Sequence, residues 1–318
     1  MSVLLATEGA VPTIPQFVAT ETAKWVGLDP TWTGADGSVW RLAREDSGVL
    51  LLRGGTRGLY APTHETYRSD SPALAGSRYR GSRTLAREVF WPLLVYSRTS
   101  SQAWTDLDRA FWRTLRADTP GTWSVTLPDG TRRSLACRYE AGGDEAQDEL
   151  PVRTGYATYG VKLTADEDPY WQGDPQTYTF ANPVTRFPPY PMPGSRNGYV
   201  LWLSRGSTIA NAIVPNPGDV DTFPLWRVNG PFTTAQVGVG GRIIDIPFAL
   251  EAGRTLTLDT RPQAYSARLD DGTDLTGRLG VRREFAPIPA GRSITLSLQM
   301  QGAGSVTATI TPRYERAW

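Results

Sequence analysis

A single amphipathic helix set among strands and turns limits what this sequence can fold into. Between Ser101 and Leu115 the apolar residues Trp104, Leu107, Phe111 and Leu115 recur three or four positions apart. That spacing places them on one face of a 3.6-residue helix. Ser100 or Ser101 can cap the first turn, and Thr119-Pro120-Gly121 ends it. A hairpin follows: Trp123, Val125 and Leu127 alternate, Pro128-Asp129-Gly130 turns the chain, and Leu135, Cys137 and Tyr139 alternate on the return. A lone amphipathic helix in such company must lay its apolar stripe on a sheet. The unit is therefore expected to be the lid of an N-terminal β domain, with no chemistry of its own.

Elsewhere the period is two. Trp32 leads through Gly34-Ala-Asp-Gly37 to Val39 and Leu42, and Ser47-Gly48 precedes the apolar run Val49–Leu52. Gly54, Gly55 and Gly58 neither match the phosphate-binding spacing nor open a helix. Residues Gly76–Tyr96 read as one long strand, or a strand bulged at Gly81, whose apolar second half suits burial between layers. Pro92 is expected to mark an edge or a bend there, because it has no N–H for a ladder. Phe17–Ala19 is a candidate strand, Tyr159, Val161 and Leu163 form another, and Asp168-Pro-Tyr-Trp171 closes the first domain.

Five prolines between Ala181 and Arg196 favour an extended, semi-rigid spacer. Beyond it short alternating strands recur: Tyr199, Leu201 and Leu203; Ile244, Ile246 and Phe248; Leu256 and Leu258; Ile294, Leu296 and Leu298; Val306, Ala308 and Ile310. Turn signals such as Asn216-Pro-Gly218, Asn229-Gly230, Gly240-Gly241 and Asp271-Gly272 separate them. With 32 Gly and 25 Pro in 318 residues, the expectation is an all-β chain with one α-helix. It comprises an N-terminal β-sandwich with helix and hairpin (1–180), a linker (181–196) and a C-terminal β-sandwich (197–318). Removing 197–318 is expected to leave the first domain folded.

Composition narrows the function. Thirty-three basic residues balance 32 acidic ones, which disfavours a sequence-specific nucleic-acid binder working by phosphate neutralisation. The arginines of Arg78-Tyr-Arg-Gly-Ser-Arg83 read as a solvated or subunit-facing strand rather than a phosphate site. No apolar run approaches the roughly 20 residues of a membrane span, and the N-terminus lacks the basic and apolar regions of a signal peptide. One cysteine, Cys137, and one histidine, His64, exclude an internal disulfide, a Cys-based zinc site and a multi-histidine metal site. Cys137 falls on the inward face of its hairpin, and His64 in a polar loop, 61–66. The acidic groups Asp166-Glu-Asp168 and Asp270-Asp-Gly-Thr-Asp274 read as turns rather than paired carboxylates or a calcium loop. Trp202, Trp226 and Tyr265 are the candidates for a sugar platform, should the second domain be a carbohydrate-binding adhesin. No catalytic, cofactor or metal residue is expected.

Several stretches resemble the distal tail proteins of long-tailed phages, known as minor tail proteins in phages of actinobacteria. Val214-Pro-Asn-Pro-Gly-Asp-Val-Asp-Thr-Phe-Pro-Leu-Trp226 with Val228-Asn-Gly-Pro231 resembles the family's Asn-x-Gly-Asp, Pro-x-Trp and Gly-Pro stretch. Ala252–Pro262 resembles its AGxxLxLDT strand, and Pro287–Leu296 its PxGxNxI turn, with Ser293 in place of the usual Asn. Gly76–Arg87, the single helix, its hairpin and Asp168–Trp171 occur in the family's order, so the likeness spans nearly the whole chain. It implies a homohexameric ring at the distal end of the tail, built by the N-terminal domain, with a galectin-like sandwich projecting outward. The implied partners are the tail tube protein and the tail-associated hub, with the tape measure protein and a host-surface glycan as further candidates. It implies no cofactor and no catalytic residues. Only two lysines, Lys24 and Lys162, against many Arg, Trp and Tyr suit a surface that meets other proteins.

Overall fold

The computed structural model describes residues 27–181 and 212–318, except 53, 74 and 146–148. The expected strands at Phe17–Ala19 and Tyr199–Leu203, Trp202, and the linker beyond Ala181 lie outside the described residues.

In the first half, β1 (Asp29–Thr33) and β2 (Val39–Arg41) form a hairpin, followed by β3 (Val49–Leu51). Strands β4 (His64–Asp70) and β5 (Ser77–Thr84) pair with each other, and β6 (Arg87–Tyr96) leads into helix α1 (Ser101–Trp112). The hairpin β7 (Gly121–Thr126) and β8 (Arg132–Gly142) comes next. A four-residue helix α2 (Pro151–Thr154) then precedes β9 (Tyr156–Ala165) and β10 (Trp171–Gln172). The sheet runs β2-β1-β7-β8-β9-β6-β3. Residues 132–137 of β8 pair with β7 and 138–142 with β9, with a bulge where the partners change.

At that bulge the sheet folds over on itself. Strands β1 and β6 are four places apart in the order, which on a flat sheet is nearly 20 Å. Yet the rings of Trp32 and Trp91 meet edge to face at 5.2 Å. Trp91 continues to Trp123 at 5.4 Å, and Trp123 to Trp171 at 5.0 Å, so four fully buried indoles fill the space between the layers. The edges approach where Leu51 N–H donates to Leu42 C=O at 2.8 Å. Gly121 is required here, since a Cβ at that position would lie 2.2 Å from the Trp32 ring.

Helix α1 lies across this seam as a lid, whereas the hairpin expected to share that role is the centre of the sheet, β7 beside β1 and β8 beside β9. Ser100 accepts from the Ala103 N–H, Trp104 Nε1 donates to the Val95 carbonyl of β6, and the fully buried Phe111 stands edge-on to Trp40 of β2. The helix stops at Trp112 rather than Leu115. The Thr114 hydroxyl turns back to the Phe111 carbonyl at 2.7 Å while accepting Trp32 Nε1 at 2.9 Å, and the backbone tightens to three-residue bonds. Leu115 is buried all the same.

At Pro92 the strand does not bend, but its β3 side opens there. Strand β6 pairs with β9 along its whole length, Pro92 facing Gly160 without interruption. The Pro92 carbonyl points the other way and accepts from Leu52 N–H. Its missing N–H therefore faces the β3 side, where the chain leaves the ladder after Leu52 and returns at Arg57. No bond of the β6–β9 ladder is lost, and the one absent bond, back to Leu52, falls where the β3 pairing ends, so the strand tolerates the proline.

The second half holds β11 (Gln176–Ala181), β12 (Ile213–Pro215), β13 (Leu225–Asn229), β14 (Phe232–Val239) and β15 (Arg242–Ile246). It continues with β16 (Thr255–Asp259), β17 (Ser266–Leu269), β18 (Ser293–Thr295), β19 (Gln299–Gly302) and β20 (Ser305–Ile310). One sheet runs β11-β20-β13-β16-β17; opposite it lie β15-β14-β19 and the pair β12-β18. Trp226, Val228, Leu256, Leu258 and the inward residues of β14 and β20 form one core between them. The Gly240-Gly241 turn, both residues left-handed, joins Val239 to its partner Arg242 in a two-residue hairpin. Asn216 is buried in its predicted turn, giving its amide to Val220 and Ile288 carbonyls and accepting from Gly218 N–H, each at 3.0 Å.

Two strand pairings cross the expected split at 180/197. Strand β11, placed by sequence in the first domain, pairs along six residues with β20 of the sandwich, and Tyr178 and Phe180 pack on the sandwich core. A last strand, β21 (Arg313–Tyr314), leaves the sandwich and pairs with β10; Ala317 is fully buried in the first core. Nonlocal pairing of this kind leaves no mark on local sequence.

Candidate functional site

The residues singled out for chemistry are not brought together. His64 opens strand β4 instead of sitting in a loop, and its Nδ1 lies 3.2 Å from the Thr84 hydroxyl. Cys137 is fully buried, and that burial pushes its thiol well above the usual range. Asp166 and Glu167 both bind Arg138, whereas Asp168 pairs with Arg313 at 2.7 Å. In 270–274 the acids close their own turn: Asp271 accepts from Thr273 N–H, Asp274 from Thr276 N–H, and Asp270 pairs with Arg254 at 3.0 Å. Among the described residues no group of three or more His, Cys, Asp or Glu is placed to hold a metal ion, and no helix is long and apolar enough to cross a membrane.

The sugar-platform candidates divide. Trp226 is 1% exposed, a core residue with no face for a ligand. Tyr265 is 54% exposed and stacks on Phe285 with ring centroids 5.0 Å apart. A groove of about 540 Å³ lies on the sandwich face formed by β14, β15 and β19, where Gln236 donates to Asp245 at 2.8 Å and Gln299 and Gln301 border it. Asp245 is the one carboxylate in its lining, so the groove offers no carboxylate pair.

The feature that stands out is an arm. Among the described residues, strands β4 and β5 pair only with each other, and not one of their residues is buried. Their ladder bulges between Tyr67 and Arg68, where Arg80 is the extra residue opposite. Tyr79 is 63% exposed and Tyr67 44%. Arg83 binds Glu65 at 2.6 Å and holds that carboxyl below its usual range, and Arg80 donates to Ser69. A two-stranded ribbon with no apolar face is marginal in water, and among the described residues neither of its outer edges pairs with another strand. Tyrosine and arginine on such a ribbon are the residues that protein interfaces favour.

Sequence reasoning missed the arm as a separate element, reading residues 61–66 as a loop and Gly76–Tyr96 as one strand or a strand bulged at Gly81; a bulge does lie beside Gly81. Alternation shows only when one face is apolar, and here both faces are polar. The break falls at Leu85-Ala86, where Leu85 N–H donates to Thr63 C=O and closes the arm's root.

No family model matches the chain. It is 23% identical over 242 residues to the minor tail protein Gp27 of Mycobacterium phage D29, a match spanning 72% of this chain and 67% of that protein. Among solved structures it resembles the SPP1 Dit protein (gp 19.1), described as a paradigm of the hub adsorption apparatus in phages infecting Gram-positive hosts. The TM-score is 0.60 at 14% identity, covering 91% of this chain and 99% of that one. A chain of the phage P2 baseplate in its activated conformation gives a TM-score of 0.53 at 11% identity, covering 90% and 98%. The fold is that of the Dit proteins.

Proposed function

We propose that this chain is a distal tail protein of a long-tailed phage, a structural component of the tail tip that closes into a ring between the tail tube and the hub. The polar arm carries the reading. It projects from a domain that otherwise buries its own core, and it needs a partner to cover its edges. Copies arranged head to tail in a closed ring supply that partner to every arm and leave no edge free. Six copies, with the sandwich on the outside, is the arrangement the resemblance implies. Tube and hub would meet opposite faces of the ring, with the tape measure protein near its axis. The chain acts by shape and carries out no catalysis. A host glycan, if one binds, would meet the sandwich at Tyr265 and Phe285.

The domain division we propose follows the two cores: residues 27–172 with 313–318 form the ring unit, and 176–181 with 212–310 form the sandwich.

The double substitution Arg78→Glu, Tyr79→Glu tests the ring. Both side chains are exposed, so the thermal midpoint should stay within the range of surface changes, about 0.5 kcal/mol. The ring should be lost, with the variant eluting as a monomer by size exclusion with light scattering. A variant that still assembled as the parent does would remove the arm from the interface.

A further inference from the structure

We propose that the last six residues, Arg313–Trp318, are a coupling strap that ties both roots of the arm to the sandwich, so that a change at one is felt at the other. Two residues, Thr311 and Pro312, separate the strap from β20, the strand between β11 and β13. It therefore leaves the sandwich from a rigid element and enters the first unit at once.

Its contacts fall on the segments that flank the arm. Before the arm, Ala317 N–H donates to the Leu59 carbonyl at 2.9 Å, and Trp318 stands edge-on to Tyr60 at 5.1 Å. After the arm, the first residue of β6 is Arg87, a residue only 2% exposed. Among the described residues no carboxylate bonds it. It donates instead to four main-chain carbonyls: Gly58 at 2.8 Å, Glu315 of the strap at 2.9 Å, Tyr60 and Pro169. Burial brings its pKa down to about 10, so it remains a cation at neutral pH. One buried cation thus joins the chain entering the arm, the chain leaving it and the strap.

A second line of contacts passes through Arg313. It pairs with Asp168 at 2.7 Å, lies over the Tyr170 ring at 4.6 Å, and donates to the Asp221 carbonyl of the sandwich at 3.0 Å. The Arg313 carbonyl also accepts from Val220 N–H at 3.2 Å. The Tyr170 hydroxyl is 2.6 Å from the hydroxyl of Thr84, the last residue of the arm, which also meets His64, the first. From the arm's root to the sandwich there are three side chains, Thr84, Tyr170 and Arg313, each in direct contact with the next. Coupling through such a contiguous network is reciprocal: whatever the sandwich does to the root, the root does to the sandwich. The inference does not depend on the ring. If the ring reading also holds, seating an arm against its neighbour would stiffen that copy's outer domain.

Amide hydrogen exchange on the full chain tests it. Thr84→Val keeps the shape and removes the hydroxyl; Tyr170→Phe removes the other partner and keeps the ring beneath Arg313. Both should accelerate exchange at Leu85, in the root, and at Gly173 and Val220, across the seam, by about fivefold or more, the lower end of typical coupling. Thr66→Val, on the arm but outside the network, should leave Gly173 and Val220 at their parental rates. Acceleration confined to residues 63–85, no acceleration at all, or an equal effect from Thr66→Val would each overturn the strap. None of these readouts requires assembly, so failure of the ring and failure of the strap are separable.

Discussion

Phe111→Asp is expected to leave the first unit without a cooperative thermal transition. Phe111 is fully buried, edge-on to Trp40 of β2, where α1 covers the seam between the two edges of the sheet. A carboxylate placed there loses the aromatic packing and is desolvated. Removing the ring alone costs about 3–5 kcal/mol. The desolvated polar group adds several more, against a typical total stability of about 5–15 kcal/mol. Phe111→Leu, which keeps an apolar side chain near the same volume, should cost less than about 2 kcal/mol. Near-ultraviolet circular dichroism, dominated by the buried tryptophans of this core, gives the readout. An Asp variant that melted within a few degrees of the parent would mean the helix is not part of the core.

The second large effect concerns where the chain can be cut. Removing residues 197–318 is expected to give an insoluble product without a cooperative melt, because the cut takes more than the sandwich. It strips Ala317 and Tyr314 from the first core and β21 from β10. It also deprives Arg87 of the Glu315 carbonyl and leaves β11 without β20. A different cut should succeed. Gln172 faces Arg313 in the ladder and Gly173 N–H donates to Pro312 C=O at 2.9 Å. Joining Gly173 to Pro312 through an Asn-Gly turn would therefore close β10 and β21 as an ordinary hairpin. That shortened chain should be soluble and melt cooperatively. If the 197–318 deletion folds as well as the rejoined chain, the strap contributes nothing to the first unit.

These cases show which parts of the fold the sequence displays. The helix was legible because Trp104, Leu107 and Phe111 share a face that a sheet covers. Its end was misplaced because a single hydroxyl, Thr114, turns the last residues. The Pro128-Asp129-Gly130 and Gly240-Gly241 turns were legible because their backbone geometry selects those residue types. Pro92 misled because the cost of a missing N–H depends on which neighbour it faces, a property of the sheet and not of the strand. Arg87 looks in sequence like Arg78, Arg80 or Arg83, yet it is the buried one. The arm left no periodic signal because it has no core side. What makes it the candidate interface, two polar faces and two free edges, is also what hid it.

The same reasoning explains why the chemical candidates dispersed. One histidine and one cysteine gave little to assemble, and the folded chain uses both locally, His64 beside Thr84 and Cys137 inside the first core. The acidic clusters are spent on turns and on arginines.

Native mass spectrometry of the purified full chain over a range of concentrations, with electron micrographs of the same sample, is the most direct test. A tail-tip ring requires one dominant closed species at six times the chain mass, seen end-on as a six-fold annulus. A chain that remained monomeric up to its solubility limit, or that grew into open filaments of no fixed size, would contradict it.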